Sequence, residues 1–177
     1  MQAMIIPLDQ LRDRRAVKLS EFWRERRSGT DFPARSDFDP LDLVFALGNI
    51  LLVDVSHEPL RFRFKLMGSN VARHLDHDAT GQYLDEHPIR EFRDVLLSIC
   101  ADALKLREPS AVHRKQVIGG QTLQYECVLL PLSEDGRTIN MFMIGVFFHD
   151  RSGLAGARGL SAFAPIPESL PPPLPRA

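Results

Sequence analysis

The sequence predicts an α+β domain: a five-stranded antiparallel sheet with helices across one face and an N-terminal amphipathic helix on the other face or at a dimer interface. Three observations predict it. The turn sequences Gly119-Gly120 and Asp135-Gly136 separate three apolar stretches near the end of the chain. Residues 61–66 alternate strictly between charged and apolar side chains, as a half-buried strand does. Residues 89–106 repeat apolar side chains at helical spacing.

The two turns predict apolar side chains on both faces of the sheet. If each is a two-residue turn, one face carries Val112, Leu123, Tyr125, Cys127, Leu129, Phe142, Ile144, Val146 and Phe148, and the other carries Val128, Leu130, Met141, Met143 and Phe147. Burying such a side chain is worth about 1.5 to 3 kcal/mol, so leaving five of them in water would cost as much as a domain's whole stability. We therefore expect a cover on each face.

The elements follow in order along the chain. Apolar residues from Leu8 to Trp23 predict an amphipathic helix that ends at Ser28-Gly29. A proline-containing connector, a short helical piece at 41–47 and strands at 50–55 and 61–66 come next. Ser69 is placed to cap a helix that runs through Leu75. The long helix at 89–106 then precedes strands at 111–118, 122–132 and 138–149.

Length and composition predict one domain with terminal extensions. The chain has 177 residues, of which 44% are apolar. We expect an N-terminal helix and connector over 1–40, a core domain over 41–150 and a proline-rich, disordered tail over 151–177.

The charge and the cysteines exclude several classes of protein. A formal net charge of -1 offers no general attraction to nucleic acid or to an anionic membrane. Two cysteines are too few for a disulfide scaffold or a four-thiolate zinc site, and no apolar run is long enough to span a bilayer. We expect a cytoplasmic protein.

Several motifs resemble one family. They are Trp23 with Arg27 before Pro33, the run Asp37-Phe38-Asp39-Pro40, residues 50–54 and 63–68, Asp78-Ala79-Thr80-Gly81, and Tyr125-Glu126 leading to Leu129-Leu130-Pro131-Leu132-Ser133 and Asp135-Gly136. Together with the element order, they resemble the PAS domain, and in particular a single-PAS-domain family found largely in alphaproteobacteria. The resemblance implies a PAS-like fold and a role in signal input or protein contact, with no reaction attached.

The resemblance also implies where a ligand and a partner would lie. The expected ligand pocket, between helices and sheet, comprises Phe64, Leu66, Val71, His74, Leu75, Leu84, Phe92, Leu96, Tyr125, Cys127, Phe142 and Ile144. The expected homodimer interface comprises Leu11, Leu19, Phe22, Trp23, Val128, Leu130, Met141, Met143 and Phe147.

No cofactor is assigned. The segment where light-sensing relatives carry their flavin-binding cysteine reads Gly68-Ser69-Asn70-Val71-Ala72-Arg73-His74-Leu75, so a covalent flavin adduct is not expected. His74 is the best candidate for a haem ligand, against the commoner alternative of a surface or capping histidine. His74 and His77 are too few for a stable zinc site, and we expect no metal.

One pair could support catalysis. In the predicted register His113 lies opposite Glu126, which could orient the imidazole as a base. A solvated ion pair on the exposed half of the sheet is the simpler interpretation. On the other face Arg114 meets Tyr125, where stacking or a cation–π contact is expected.

The leading hypothesis is a non-enzymatic PAS-type sensory module that binds a small ligand, contacts other proteins, or does both, and passes its signal to a separate protein. One alternative is a pure interaction adaptor without a ligand. The other is a small acid–base enzyme of the hot-dog or nuclear-transport-factor-like type that uses His113 and Glu126.

Overall fold

A single antiparallel sheet organises the fold. The computed structural model describes residues 5–118 and 121–149. The strands are β1 (Ile5–Ile6), β2 (Ile50–His57), β3 (Leu60–Met67), β4 (Ser110–Ile118), β5 (Gln121–Leu132) and β6 (Met141–Phe148), and the α-helices are α1 (Arg14–Arg26), α2 (Ser69–Leu75) and α3 (Arg90–Leu106). The strand order is β1-β4-β5-β6-β2-β3. The predicted α+β class is confirmed, with the short strand β1 added at one edge.

Helix α1 covers the face of the sheet that we call the back face, formed by Val128, Leu130, Met143, Gly145 and Phe147. Leu19 packs so closely on Gly145 that a Cβ atom there would lie 2.9 Å from a Leu19 methyl carbon. The Trp23 indole N–H donates to the carbonyl oxygen of Pro131 over 2.7 Å. The cover that the apolar back face requires therefore comes from the same chain.

Helix α1 begins later than the apolar pattern predicts. The Asp13 side chain accepts the backbone N–H of Arg15 at 2.8 Å and caps the helix at Arg14. Leu8 lies in a separate 3-10 turn, Leu8–Gln10, which links β1 to this cap. Leu11 is nevertheless buried, because the linking segment lies against the sheet.

Helices α2 and α3 cover the opposite face of the sheet. We call the two helices together with the side chains beneath them the helix-facing layer; the sheet contributes Tyr125, Phe142, Ile144, Val146 and Phe148. The buried stripe of α3 consists of Phe92, Leu96, Ile99, Cys100 and Ala103, which match the predicted spacing.

The strand registers largely agree with the hairpin prediction. β4 pairs with β5 so that His113 faces Glu126 and Arg114 faces Tyr125, although Gly119-Gly120 itself lies outside the described residues. β5 and β6 meet at Leu132 and Met141, so residues 133–140 form a loop in place of a two-residue turn. The apolar residues keep their predicted faces.

The prediction for Leu66 was wrong. A register shift between Leu52 and Val53 places Leu52 opposite Leu66 but Val53 opposite Phe64, so Lys65 is an extra residue in β3. After Phe64 the bulge reverses which side chains of β3 point into the core and which point to solvent. Leu66 is 42% exposed, and Met67 replaces it in the core at 6%.

Among the described residues, no helix combines the length and hydrophobicity needed to cross a membrane. The proline-rich segment 151–177 lies outside the described residues.

Candidate functional site

Most candidate pocket residues meet in the helix-facing layer as parts of one hydrophobic core. Leu66 points away from it, and His74 is half-buried at its margin. The remaining candidates are buried and belong to the same cluster: Phe64, Val71, Leu75, Leu84, Phe92, Leu96, Tyr125, Cys127, Phe142 and Ile144.

His74 is held at the margin of this layer by two contacts. Its Nδ1 atom lies 2.7 Å from the Asn70 carbonyl oxygen, one helical turn earlier in α2. Its ring stacks on Phe148 with centroids 3.9 Å apart and planes 4° apart. In this structure the His74 ring joins α2 to the end of β6.

His87 is a buried polar group that the sequence pattern did not distinguish from the other histidines near the helices. It is fully buried, with its ring 4.9 Å from that of Phe92 and 5.0 Å from that of His77. Burial, followed by the nearby charge of His77, lowers the His87 pKa to about 4, so the ring is neutral at pH 7. Nothing in the sequence indicated this burial, because the apolar repeat of α3 begins only at Phe92.

The hydrogen bonds of His87 fix its tautomer. The backbone N–H of Ile89 donates to His87 Nδ1 over 3.2 Å, so in the neutral ring the proton is on Nε2. Among the described residues, Nε2 has no hydrogen-bond partner although it is buried. A buried donor without an acceptor costs about 1 to 3 kcal/mol. His87 thus presents an unsatisfied N–H inside an aromatic environment.

The remaining polar groups of the layer are unreactive. Burial raises the pKa of Cys127 to about 12 and raises that of Cys100 further, so both thiols stay protonated. Burial also raises the pKa of the Tyr125 hydroxyl, which pairs with Arg114 through a hydrogen bond where stacking had been expected.

The back face carries a second polar arrangement, which we call the Glu126 latch. It consists of Glu126, His113 and the backbone N–H groups of Arg12 and Asp13. Glu126 Oε2 accepts the Arg12 N–H at 3.0 Å, and Oε1 accepts the Asp13 N–H at 3.0 Å. The His113 Nε2 atom is in contact with Glu126 Oε2.

The expectation of a solvated His113–Glu126 pair was wrong. The Glu126 side chain is only 1% exposed, because the segment before α1 crosses over it. A carboxylate in that position is stabilised by charge-assisted hydrogen bonds to the backbone. The latch therefore fixes the start of α1 against β5.

An open cavity adjoins the latch. It measures about 350 Å³ and is lined by Arg12, His113, Arg114, Lys115, Gln124, Tyr125, Glu126 and His149. We call it the back-face cavity. Of the predicted pocket residues, only Tyr125 also lines this cavity.

Most candidate interface residues are covered within one protomer. Phe22 alone is half-buried, with its ring 5.9 Å from that of Phe45. The others are buried between α1 and the sheet: Leu11, Leu19, Trp23, Val128, Leu130, Met141, Met143 and Phe147. With α1 in this position they offer little surface to a second copy.

Across residues 5–118 and 121–149, no group of three or more histidine, cysteine or acidic side chains is arranged to hold a metal ion.

Comparison with known families identifies the chain. A family model described as PAS domain matches residues 11–147, which include α1 and the whole sheet except β1 and the last residue of β6. The chain belongs to the PAS domain family. No curated protein and no solved structure matches it significantly. Members of this family generally act as sensory or regulatory modules and are typically not enzymes.

Proposed function

We propose that this PAS domain is a non-enzymatic, cytoplasmic module that senses a small ligand in its helix-facing layer. The observation that carries the proposal is the buried, unpartnered Nε2–H of His87. A ligand with a carbonyl or carboxylate oxygen would supply the missing acceptor. Phe64 and Phe92, whose rings pack against that of His87, would contact its apolar part.

The position of His87 suggests how binding would become a signal. His87 closes the 3-10 turn Leu84–Glu86, and α3 begins at Arg90. Because the Ile89 N–H is bonded to the same ring, a ligand that moves the ring also moves the first turn of α3. A ligand with different affinities for two positions of α3 would shift the population between them.

The experiment is a search for a co-purified ligand. Protein purified from its native host is denatured, and the released small molecules are measured by mass spectrometry against His87→Phe protein. We expect a stoichiometric molecule in the wild type and at least a tenfold lower amount in His87→Phe. If the wild-type extract contains no such molecule, or the variant retains it fully, the ligand proposal fails.

We further propose that the module forms a homodimer and passes its signal to a separate protein. Support comes from three exposed aliphatic side chains on one short segment, Leu41 at 78%, Val44 at 65% and Leu47 at 42%. Asp42, which lies among them, already pairs with Arg26 of the same chain at 2.8 Å, so the support for the dimer is the exposed apolar patch itself.

Light scattering tests the dimer. We expect the wild type to have the mass of two chains and Leu41→Glu/Val44→Glu to have the mass of one. A wild-type protein of one-chain mass would contradict the dimer. Such a monomer that also lacked a ligand would leave the adaptor alternative to be pursued with a partner protein.

The acid–base alternative is less well supported. Both oxygens of Glu126 already accept backbone N–H groups, and His113 uses its Nε2 atom on the same carboxylate. This geometry supports a structural role in docking α1. Unchanged binding of the ligand at His87 in His113→Ala would agree with the structural role, whereas turnover lost only in that variant would favour catalysis.

A further inference from the structure

The back-face cavity has an unusual balance of charge. His113 and Lys115 come from β4, Gln124 comes from β5, Arg12 precedes α1, and His149 follows β6. Arg114 and Tyr125, which are hydrogen-bonded to each other, also line it. Their side chains supply many hydrogen-bond donors. The one carboxylate that lines the cavity is Glu126.

The carboxylates at and near this cavity already have partners. Glu126 is engaged by two backbone N–H groups and His113. Burial opposes ionisation of Asp13, but its contacts with Arg15, including Nη2 to Oδ2 at 2.8 Å, lower its pKa overall, and nearby His149 acts in the same direction. In the described part of the chain, neither the Arg12 guanidinium nor the Lys115 ammonium forms an ion pair. The cavity therefore has an excess of positive charge.

We propose that the back-face cavity binds a small oxyanion, the phosphate or carboxylate group of a metabolite, between Arg12, His113 and Lys115. Guanidinium and ammonium groups bind such oxygens through charge-assisted hydrogen bonds. The volume of about 350 Å³ falls in the range of small-molecule sites. The one charge of Glu126 is engaged by two backbone N–H groups and is outnumbered by the charges of Arg12 and Lys115.

This site would couple the ligand to α1. Arg12 contributes its side chain to the cavity and its backbone N–H to Glu126. An anion that immobilises the Arg12 side chain would stabilise residues 12 and 13 in the latch and hold α1 on the sheet. The site is independent of the ligand proposed at His87, which lies on the opposite side of the sheet.

The test is an NMR titration of the full chain at pH 7, with inorganic phosphate and citrate as separate probes. Sodium chloride keeps the ionic strength constant. With one of the probes we expect saturable chemical-shift changes of the Arg12, Asp13 and Lys115 amides. At saturation the Arg12 and Asp13 amide protons should exchange with solvent more slowly. The probe that binds identifies the preferred oxyanion group.

Matched variants locate the charge. We expect Lys115→Gln and Arg12→Gln each to weaken binding at least tenfold, because each removes one charge-assisted contact. Lys105→Gln on α3 and Arg14→Gln on α1 remove equal charge outside the cavity lining and should leave the affinity within twofold.

Two results would overturn the proposal. One is the absence of saturable shifts with both probes. The other is an equal loss of affinity in the cavity and control variants, which would indicate diffuse screening. His87→Phe should bind the probe normally, so failure of the His87 proposal and failure of this one are distinguishable.

Discussion

The helix-facing layer and the back face both bury aromatic side chains against the same sheet, but they differ in how they satisfy polar groups. The back face buries one carboxylate, Glu126, which accepts two backbone N–H groups and has the His113 imidazole against it. The helix-facing layer buries His87 and leaves its Nε2–H without a partner among the described residues. A satisfied buried group fixes a structure, whereas an unsatisfied one is a place where binding can release free energy.

This difference suggests that the two faces of the sheet have different roles. The Glu126 latch and the close packing of Leu19 on Gly145 hold α1 in one position. Around His87 the structure retains the free-energy cost of one unsatisfied buried N–H, which a ligand could remove. We therefore expect substitutions that loosen the packing of α1 on the back face to act mainly on stability, and a substitution at His87 to act mainly on binding and pH dependence.

Phe147→Ala should lower the free energy of unfolding by the largest amount. Phe147 is fully buried on the back face, and the Arg15 guanidinium lies 4.9 Å from its ring centroid. Removing such a side chain typically costs about 3 to 5 kcal/mol. Urea unfolding measures the loss, and hydrogen exchange should show weaker protection of α1 amides.

Phe92→Ala is the matched variant in the helix-facing layer. It should cost a similar amount but leave the exchange of α1 amides close to that of the wild type in the folded state. Equal loss of α1 protection in both variants would contradict the separate roles of the two faces.

The sequence predicted the apolar part of this comparison and missed the polar part. Side-chain alternation assigned Tyr125, Phe147 and their neighbours to the correct faces, because alternation along a strand fixes the face whenever the strand is correctly placed. Even the longer loop at 133–140 preserved the faces, since it shifted the register by two residues and the period of a strand is two. By contrast, one bulged residue was enough to misplace Leu66.

Polar burial could not be predicted in the same way. The register placed Glu126 opposite His113, but its donors are backbone groups of Arg12 and Asp13, which are 114 and 113 residues away in sequence. Backbone donors have no signature in the side-chain pattern. The burial of His87 depends on the positions of Phe64, Phe92 and His77, which come from three separate parts of the chain.

The next largest effect is a change in the pH dependence of stability in His87→Phe. The folded-state pKa of His87 is about 4, below the unfolded value of about 6.5, so the unfolded chain binds more protons between these values. His87 therefore stabilises the folded state fully above about pH 6.5, and this contribution is lost as the pH falls towards 4. The difference of about 2.5 between the two pKa values corresponds to a total loss of about 3 kcal/mol.

Urea unfolding at pH 7.5 and pH 4.5 measures this contribution. At pH 7.5 the variant should differ from the wild type by no more than about 1 kcal/mol, because it loses the Ile89 bond and also the unsatisfied donor. At pH 4.5 it should be relatively more stable by most of the linkage energy. A parallel decline of wild type and variant would show that His87 is not a buried neutral ring.

The smallest effect should come from Glu126→Gln. The amide keeps an oxygen for the Asp13 N–H and can place its NH₂ group towards an unprotonated His113 Nε2, so part of the latch survives without charge. The Arg12 N–H loses its closer acceptor, and we expect a cost of about 1 to 2 kcal/mol.

Glu134→Gln, on the exposed loop after β5, is the matched control and should change stability by less than about 0.5 kcal/mol. Faster exchange of the Arg12 and Asp13 amides in Glu126→Gln alone would place the loss at the latch. If the two variants exchanged and unfolded alike, Glu126 would not be what fixes α1, and its burial would reflect only the crossing of the chain above it.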